Sequence, residues 1–444
     1  MTYTEFVFED YRYDPARSTL SLCYSYPGGP RFEEQLFFDF VPQQLSSAAR
    51  EVLDRIFRLI LLLSGVSYYK AFIPKVLTCR AFALDERTAE FLQTFYDKGL
   101  AEFAFRNGVS LHGQFRFQSN SAAQAAAPIT VDLARKICVP VGGGKDSIVT
   151  IECLRHGDEP LMLFSLGDAE PIAACIAAAK LPFIRVHRRL DAGLLQLNKT
   201  GALNGHIPIT GILSAIALAA AVMSGCNAVA MSNEHSASAP NLSRDGFEIN
   251  HQYSKSLEFE RDFAQYIEDF ISPNIRYFSL LRPLSEIEIG RRFAKHRKYF
   301  GVFRSCNTAF RQAREARGRH WCCNCPKCRF VFLALSPSVA KSDLIEIFGC
   351  NLLDDDTQRD GFAELCDLRA NKPFECVGET SESAGVMSYL ADHPDWRDDT
   401  VVRRLNEEIL SLRHKGPAEF QALLEVRHPH RVPAPYLAML DGCG

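Results

Sequence analysis

An α/β fold built on a parallel sheet is what this sequence predicts, and two observations carry it. Strand-like and helix-like stretches alternate from Lys136 to Asn233, as they must when helices cover both faces of parallel strands. Within that region VGGGKDS, residues 141–147, follows a short apolar run and opens a helix, which is where such sheets hold ligands. The expected organisation is an α+β domain over 1–118, a parallel-sheet core over 129–345 and a mainly helical part over 346–444.

The elements can be taken in order. Residues 1–118 offer strands near Phe6–Phe8, Thr19–Tyr26 and Gln35–Phe40, helices near Ser46–Leu63 and Asp85–Lys98, and no catalytic motif. SNSAAQAAAP, 119–128, reads as a small-residue linker. The core then runs VPVG and a helix, LMLFSLG (161–167) and EPIAACIAAAK, FIRVHR (183–188), a long apolar helix, and AVAMSN (228–233). The carboxyl ends of these strands place Gly142–Ser147, Ser165 and Asn233–His235 together. The long apolar stretch, IPITGILSAIALAAAVMSG (207–225), approaches a bilayer's length. Its alanines, Pro208 at the start, Gly225 at the end and the strand that follows predict a helix buried against the sheet.

Composition narrows the class. The chain has 444 residues, 47% apolar and 23% charged, as an ordinary soluble globular protein does, with room for about two to four domains. A net charge of −3 gives no global footprint for nucleic acid, which argues against such a partner. The acidic, aromatic start MTYTEFVFEDYRYDP lacks the marks of a signal peptide, so a cytoplasmic chain is expected, without a membrane partner. In that compartment fifteen cysteines predict buried thiols, metal ligands or catalytic thiols, and no disulfide framework.

Three glycines at 142–144 strip the turn of side chains, so backbone N–H groups can approach an anion closely. The turn is not a Walker A loop, since Asp146 follows Lys145, nor a dinucleotide fingerprint, since position 147 is serine. It resembles the S-G-G-x-D-S loop of the PP-loop ATP pyrophosphatases, a HUP-like fold, with Gly142 in place of the first serine. That resemblance implies ATP split between its α- and β-phosphates, with Gly142, Gly143, Gly144, Lys145, Asp146, Ser147 and Ser165 as ATP contacts. An aspartate would repel phosphate unless a cation stood between them, so Asp146 reads as a Mg2+ contact.

Farther on, HWCCNCPKCRF sets Cys322, Cys325 and Cys328 at C-x2-C-x2-C spacing, with Cys306 sixteen residues before the first. Two such steps bring three thiolates to one ion and the remote fourth closes a tetrahedron, a structural Zn2+ site with Cys323 as a neighbour or an alternate for Cys322. Residues 136–335 resemble the PP-loop domain of 7-cyano-7-deazaguanine synthase, zinc cysteines included. SNEHSASAPN (232–241), NHQYSKSLEFE (250–260) and NKPFECVGETSESAGV (371–386) resemble instead the ATP-dependent UDP-N-acetylmuramoyl-L-alanyl-L-glutamate epimerases, the MurL family, over nearly the whole chain. The implied activity is inversion of the terminal L-Glu of UDP-MurNAc-L-Ala-L-Glu, a peptidoglycan precursor, with release of AMP and pyrophosphate.

The chemistry agrees with the loop. A carboxylate suppresses the acidity of its own α-proton; an acyl-adenylate removes that charge and lets the enolate delocalise. Proton exchange and hydrolysis then yield the D-isomer, with Lys145 and the loop N–H groups stabilising phosphate charge. Candidates for moving the proton are Glu234, His235, His251, Tyr253, Lys255 and Cys376, and near-neutral titration favours His235 and His251. One base or two stays open. The basic bursts RRFAKHRK (291–298) and RQAREARGRH (311–320) read as solvated helix faces, or as a contact for UDP diphosphate or RNA. VVRRLNEEILSLRHKG (401–416) reads as an amphipathic cap or partner surface. Two other functions remain open: a ligase that modifies a deazapurine or tRNA base by adenylation, and a module that binds ATP without cleaving it.

Overall fold

The computed structural model describes the chain except residues 1–2, 121–122, 124–125, 245, 311–317, 319, 370–371, 413–417 and 444. Its strands are β1 (Glu5–Asp14), β2 (Thr19–Ser25), β3 (Arg31–Phe38), β4 (Val76–Cys79), β5 (Arg116–Phe117), β6 (Ala134–Pro140), β7 (Leu161–Leu166), β8 (Phe183–Arg189), β9 (Cys226–Met231), β10 (Leu242–Arg244), β11 (Phe247–Ile249) and β12 (Arg276–Ser279). Ten of them form one sheet in the order β12-β9-β6-β7-β8-β3-β2-β1-β4-β5, while β10 and β11 make a separate hairpin. From β12 to β8 neighbours are parallel, the doubly covered arrangement that the alternation predicts.

The sheet does not stop at the linker. β3 pairs antiparallel with β8, Gln35 opposite Arg189 and Phe38 opposite Val186, so the first 118 residues extend the core sheet edge to edge. β3 alternates strictly, burying Phe32, Glu34, Leu36 and Phe38. Glu34 is fully buried and accepts two hydrogen bonds from Arg188 of β8, at 2.7 and 3.0 Å. A one-residue slip would strand both charges, so the pair fixes the register of the seam.

Each face of the sheet carries its own core. One holds the N-terminal strands, the helix Ser47–Ser64 and the helix Ile209–Met223. Ser46 caps the first of these by accepting from the Ala49 N–H at 3.1 Å. The second is the predicted apolar helix, fully buried from Ile216 to Met223; no helix among the described residues is long and apolar enough to cross a membrane. The opposite face holds the helix Lys145–Leu154, the cysteine-rich segment and the C-terminal helices. Val401, Val402, Leu405 and Ile409 of the helix Thr400–Leu412 are buried there, so its apolar stripe covers the core; residues 413–416 of that predicted helix lie outside the described residues.

Two expectations change. The burst at 291–298 is no open cationic face: Arg292 is buried, bonding Glu288 and the Leu440 carbonyl, while Arg291, Arg297 and Lys298 pair with Glu288, Asp343 and Glu152. Most of the burst at 311–320 lies outside the described residues. Cys153 and Cys443 form a disulfide between the helix Lys145–Leu154 and the C-terminal helix Ala434–Gly442, which the all-thiol reading did not foresee.

Candidate active site

The glycine turn and the segment after β9 meet at a cavity of about 330 Å3. Gly142, Gly144, Lys145, Asp146 and Ser147 line one wall, and Asn233, Glu234, Gln252, Lys255, Lys327 and Cys376 others. The helix Lys145–Leu154 has Gly144 at its cap and no capping side chain, which leaves its first N–H groups for an anion. The three glycines differ. Gly143 has φ +80° and its Cβ would stand 3.0 Å from the Ile172 nitrogen, whereas a Cβ on Gly142 would meet nothing within 4 Å. Gly143 thus shapes the turn, and Gly142 leaves room above it.

Charge beneath the turn is dense and buried. Lys145, 3% exposed, donates to Asp146 Oδ1 at 2.5 Å and to Glu286. Burial works against its ammonium, but Asp146 and Glu286 outweigh burial and keep it protonated. Burial pushes Glu286 well above the usual carboxylate range, and Asp146, Glu234 and Glu382 push the same way against Lys145. Glu382 accepts from the backbone N–H groups of Glu286 at 3.1 Å and Glu379 at 2.9 Å, tying the C-terminal part to the loop; burial and Glu379 bring it up to about 7. Neither Glu286 nor Glu382 was among the candidates that the sequence offered.

Opposite the loop, Cys376 faces Lys255 and His251. Burial alone would raise its thiol, but Lys255, a hydrogen bond from His251 and Lys327 outweigh it and bring it down to about 6. The other side of the His251 ring reaches Glu102, with Nδ1 2.5 Å from Oε2. Burial works against charge on His251, yet its bonds to Cys376 and Glu102 raise it to about 9. Asn241 aligns the pieces by accepting from the His251 N–H at 2.9 Å and donating to the Pro373 carbonyl at 2.8 Å.

These elements match known families along most of their length. Residues 1–280 match the model of the MurL N-terminal domain and residues 302–419 that of the MurL C-terminal domain. The chain belongs to the MurL family. It is 40% identical to the UDP-N-acetyl-alpha-D-muramoyl-L-alanyl-L-glutamate epimerase of Xanthomonas oryzae pv. oryzae over 420 residues, 95% of this chain and 93% of the relative. A Micromonospora protein of the same name is 40% identical over 440 residues, 98% and 97% of the two chains. None of these relatives is named as modifying a deazapurine or tRNA base, so that alternative finds no support.

Within this MurL-family chain, the segments that carried the resemblance supply Glu234, His251, Lys255 and Cys376, all at or beside the loop cavity. His235 and Tyr253 point the other way, into a neighbouring cavity of about 830 Å3. Ser165 is buried while Phe164 and Leu166 line the loop cavity, because successive strand residues face opposite sides. Lys327, between two cysteines, and Glu102, in a region where the sequence showed no catalytic motif, are additions.

The sulfurs of Cys306, Cys322, Cys325 and Cys328 all lie within 4.8 Å of one another. Cys322–Cys328 and Cys325–Cys328 separations are 3.7 and 3.5 Å. Four thiolates about 2.3 Å from one ion would stand about 3.8 Å apart, so the set fits tetrahedral zinc. Cys323, with φ +54°, turns its sulfur to the Phe348 carbonyl at 3.2 Å and is the neighbour of the set.

Proposed function

We propose that this protein is an ATP-dependent epimerase that inverts the terminal L-Glu of UDP-MurNAc-L-Ala-L-Glu in the cytoplasm, for peptidoglycan and cell-wall synthesis. The observation that carries the reading is one cavity with an uncapped helix start on one wall and a thiol of lowered pKa on another, in a chain of the MurL family. Such a cavity suits two chemistries in sequence, activation of a carboxylate and exchange of the proton beside it.

In this reading the core is of the PP-loop, HUP-like type, and Gly142 to Ser147 receive the phosphates of ATP. Oriented N–H donors and the Lys145 ammonium act on charge that develops as the glutamate carboxylate attacks the α-phosphate, each worth about 3 to 4 kcal/mol. Asp146, with a side chain 34% exposed, would hold Mg2+, whose charge offsets that of the phosphates. Adenylation neutralises the carboxylate and acidifies the α-proton; hydrolysis after inversion frees AMP. The four-cysteine set would hold Zn2+ as a structural clamp beneath Lys327.

Incubation with ATP, Mg2+ and UDP-MurNAc-L-Ala-L-Glu should give pyrophosphate, AMP and D-Glu at the peptide terminus, read by chiral analysis after hydrolysis. Pyrophosphate absent while D-Glu accumulates would contradict adenylation; neither product from folded, metal-replete protein would contradict the reading as a whole.

A further inference from the structure

We infer that Cys376 is the base that takes the glutamate α-proton, with His251 holding its thiolate and Glu102 the residue that positions His251. This rests on the epimerase reading and adds to it a residue from a helix in the N-terminal part of the chain, 149 positions from its partner.

The geometry gives each member one task. Cys376 lines the cavity that also holds Gly142, Lys145 and Asp146, so its sulfur faces the place where an activated carboxyl would sit. His251 spends Nδ1 on Glu102, which leaves its other nitrogen for the sulfur. Glu102 is 4% exposed, and its second oxygen accepts from Arg106 Nε at 2.6 Å, so the carboxylate cannot swing away. His206 lies tilted against His251 with ring centroids 4.2 Å apart; burial, and next the charge of His251, lower it to about 4, so one imidazole of the two carries the proton. Lys255 and Lys327 add positive charge at the thiol, and Glu234 and Asp146 help keep Lys255 charged.

Glu102, His206 and His251 also lie close enough to suggest a metal. At 2.5 Å, however, Nδ1 and Oε2 share a proton; two ligands each about 2.0 Å from one ion stand farther apart. A hydrogen-bonded relay fits and an ion does not.

In the step, the α C–H bond breaks, an S–H bond forms on Cys376, and the C–H electron pair enters the enolate of the activated acyl group. Water reaching the opposite face gives a proton to carbon, and the hydroxide so formed takes the thiol proton. Protons and charge balance, the configuration is inverted, and the new hydrogen comes from solvent.

The test reads the thiol directly and then the turnover. Wild type and Glu102→Gln are alkylated with iodoacetamide across about pH 5 to 9, and the peptide bearing Cys376 is quantified by mass spectrometry. In wild type the rate should reach half its plateau near pH 6; in Glu102→Gln the midpoint should rise by about one unit or more, with Glu102→Asp in between. The acid limb of the kcat profile should move with it while KM stays within about twofold, a signature that a merely structural role for Glu102 would not give. Cys376→Ala should cut D-Glu formation about 100-fold or more. Alkylation midpoints equal in wild type and Glu102→Gln would overturn the positioning role. D-Glu formed at the wild-type rate by Cys376→Ala would overturn the base assignment and leave the epimerase standing, whereas wild type forming no D-Glu would remove the reading beneath both. A second metal equivalent that disappears in His206→Ala would overturn the relay.

Discussion

The glycine turn and the Glu102–His251–Cys376 relay flank the same cavity and arise in opposite ways. Six consecutive residues make the turn, and one left-handed glycine shapes it. The relay draws one side chain from each of three segments far apart in sequence, and the helix of Glu102 reaches the core through the sheet seam at β3 and β8 together with the packing of the N-terminal helices on the core. On the proposed mechanism, activation would be encoded locally, while proton transfer would exist only in the assembled fold. The two halves should therefore break separately.

The largest effect tests that separation. Asp146→Ala should abolish pyrophosphate release and D-Glu formation together, because phosphate charge loses its metal anchor. Cys376→Ala should keep pyrophosphate release within about tenfold and lose inversion about 100-fold. A phosphate-release assay run beside chiral analysis would show both; equal losses in the two variants would mean that the halves are coupled.

Next in size is the zinc clamp. Purified without chelator, the protein should carry about one Zn2+, and Cys325→Ser should lose it together with several kcal/mol of stability, since a structural site contributes folding free energy directly. Metal analysis with thermal unfolding checks this. Whatever Cys325→Ser protein folds should still release pyrophosphate.

Gly143→Ala comes third. An added methyl would force φ +80° on an L side chain and press on Ile172 and Pro171, costing about 1 to 3 kcal/mol. Gly142→Ala meets open space, so it should fold normally and instead weaken ATP binding. Paired thermal melts and nucleotide titrations would separate shape from room within a single turn.

Smallest is a pH effect on stability. Bonds to Cys376 and then Glu102 raise the folded pKa of His251 to about 9 against an ordinary 6.5, so together they contribute stability that is full below about 6.5 and lost as pH rises through about 9, Glu102 supplying part of it. The gap in melting temperature between wild type and Glu102→Gln should be widest near pH 6 and close by about pH 10.

Much of this could be read in the sequence because it is local or periodic. The strand alternation, the buried helix Ile209–Met223, the turn and the cysteine spacing each follow from residues near one another. Ser165 is buried one step of a two-residue period away from Phe164 and Leu166, which line the cavity. Glu102 was invisible because the short helix Ala101–Asn107 carries no local signal of function and its partner is supplied by folding. Glu286 and Glu382 were obscured by their ordinary place at helix starts, where carboxylates serve the helix dipole or a cap.

Solvent exchange decides whether activation must precede proton transfer. With UDP-MurNAc-L-Ala-L-Glu in D2O, deuterium at the terminal α-carbon should appear only when ATP and Mg2+ are present, and a non-hydrolysable α,β-analogue of ATP should give none, because the free carboxylate leaves the proton too weakly acidic. Deuterium incorporated at the same rate without ATP would contradict the account.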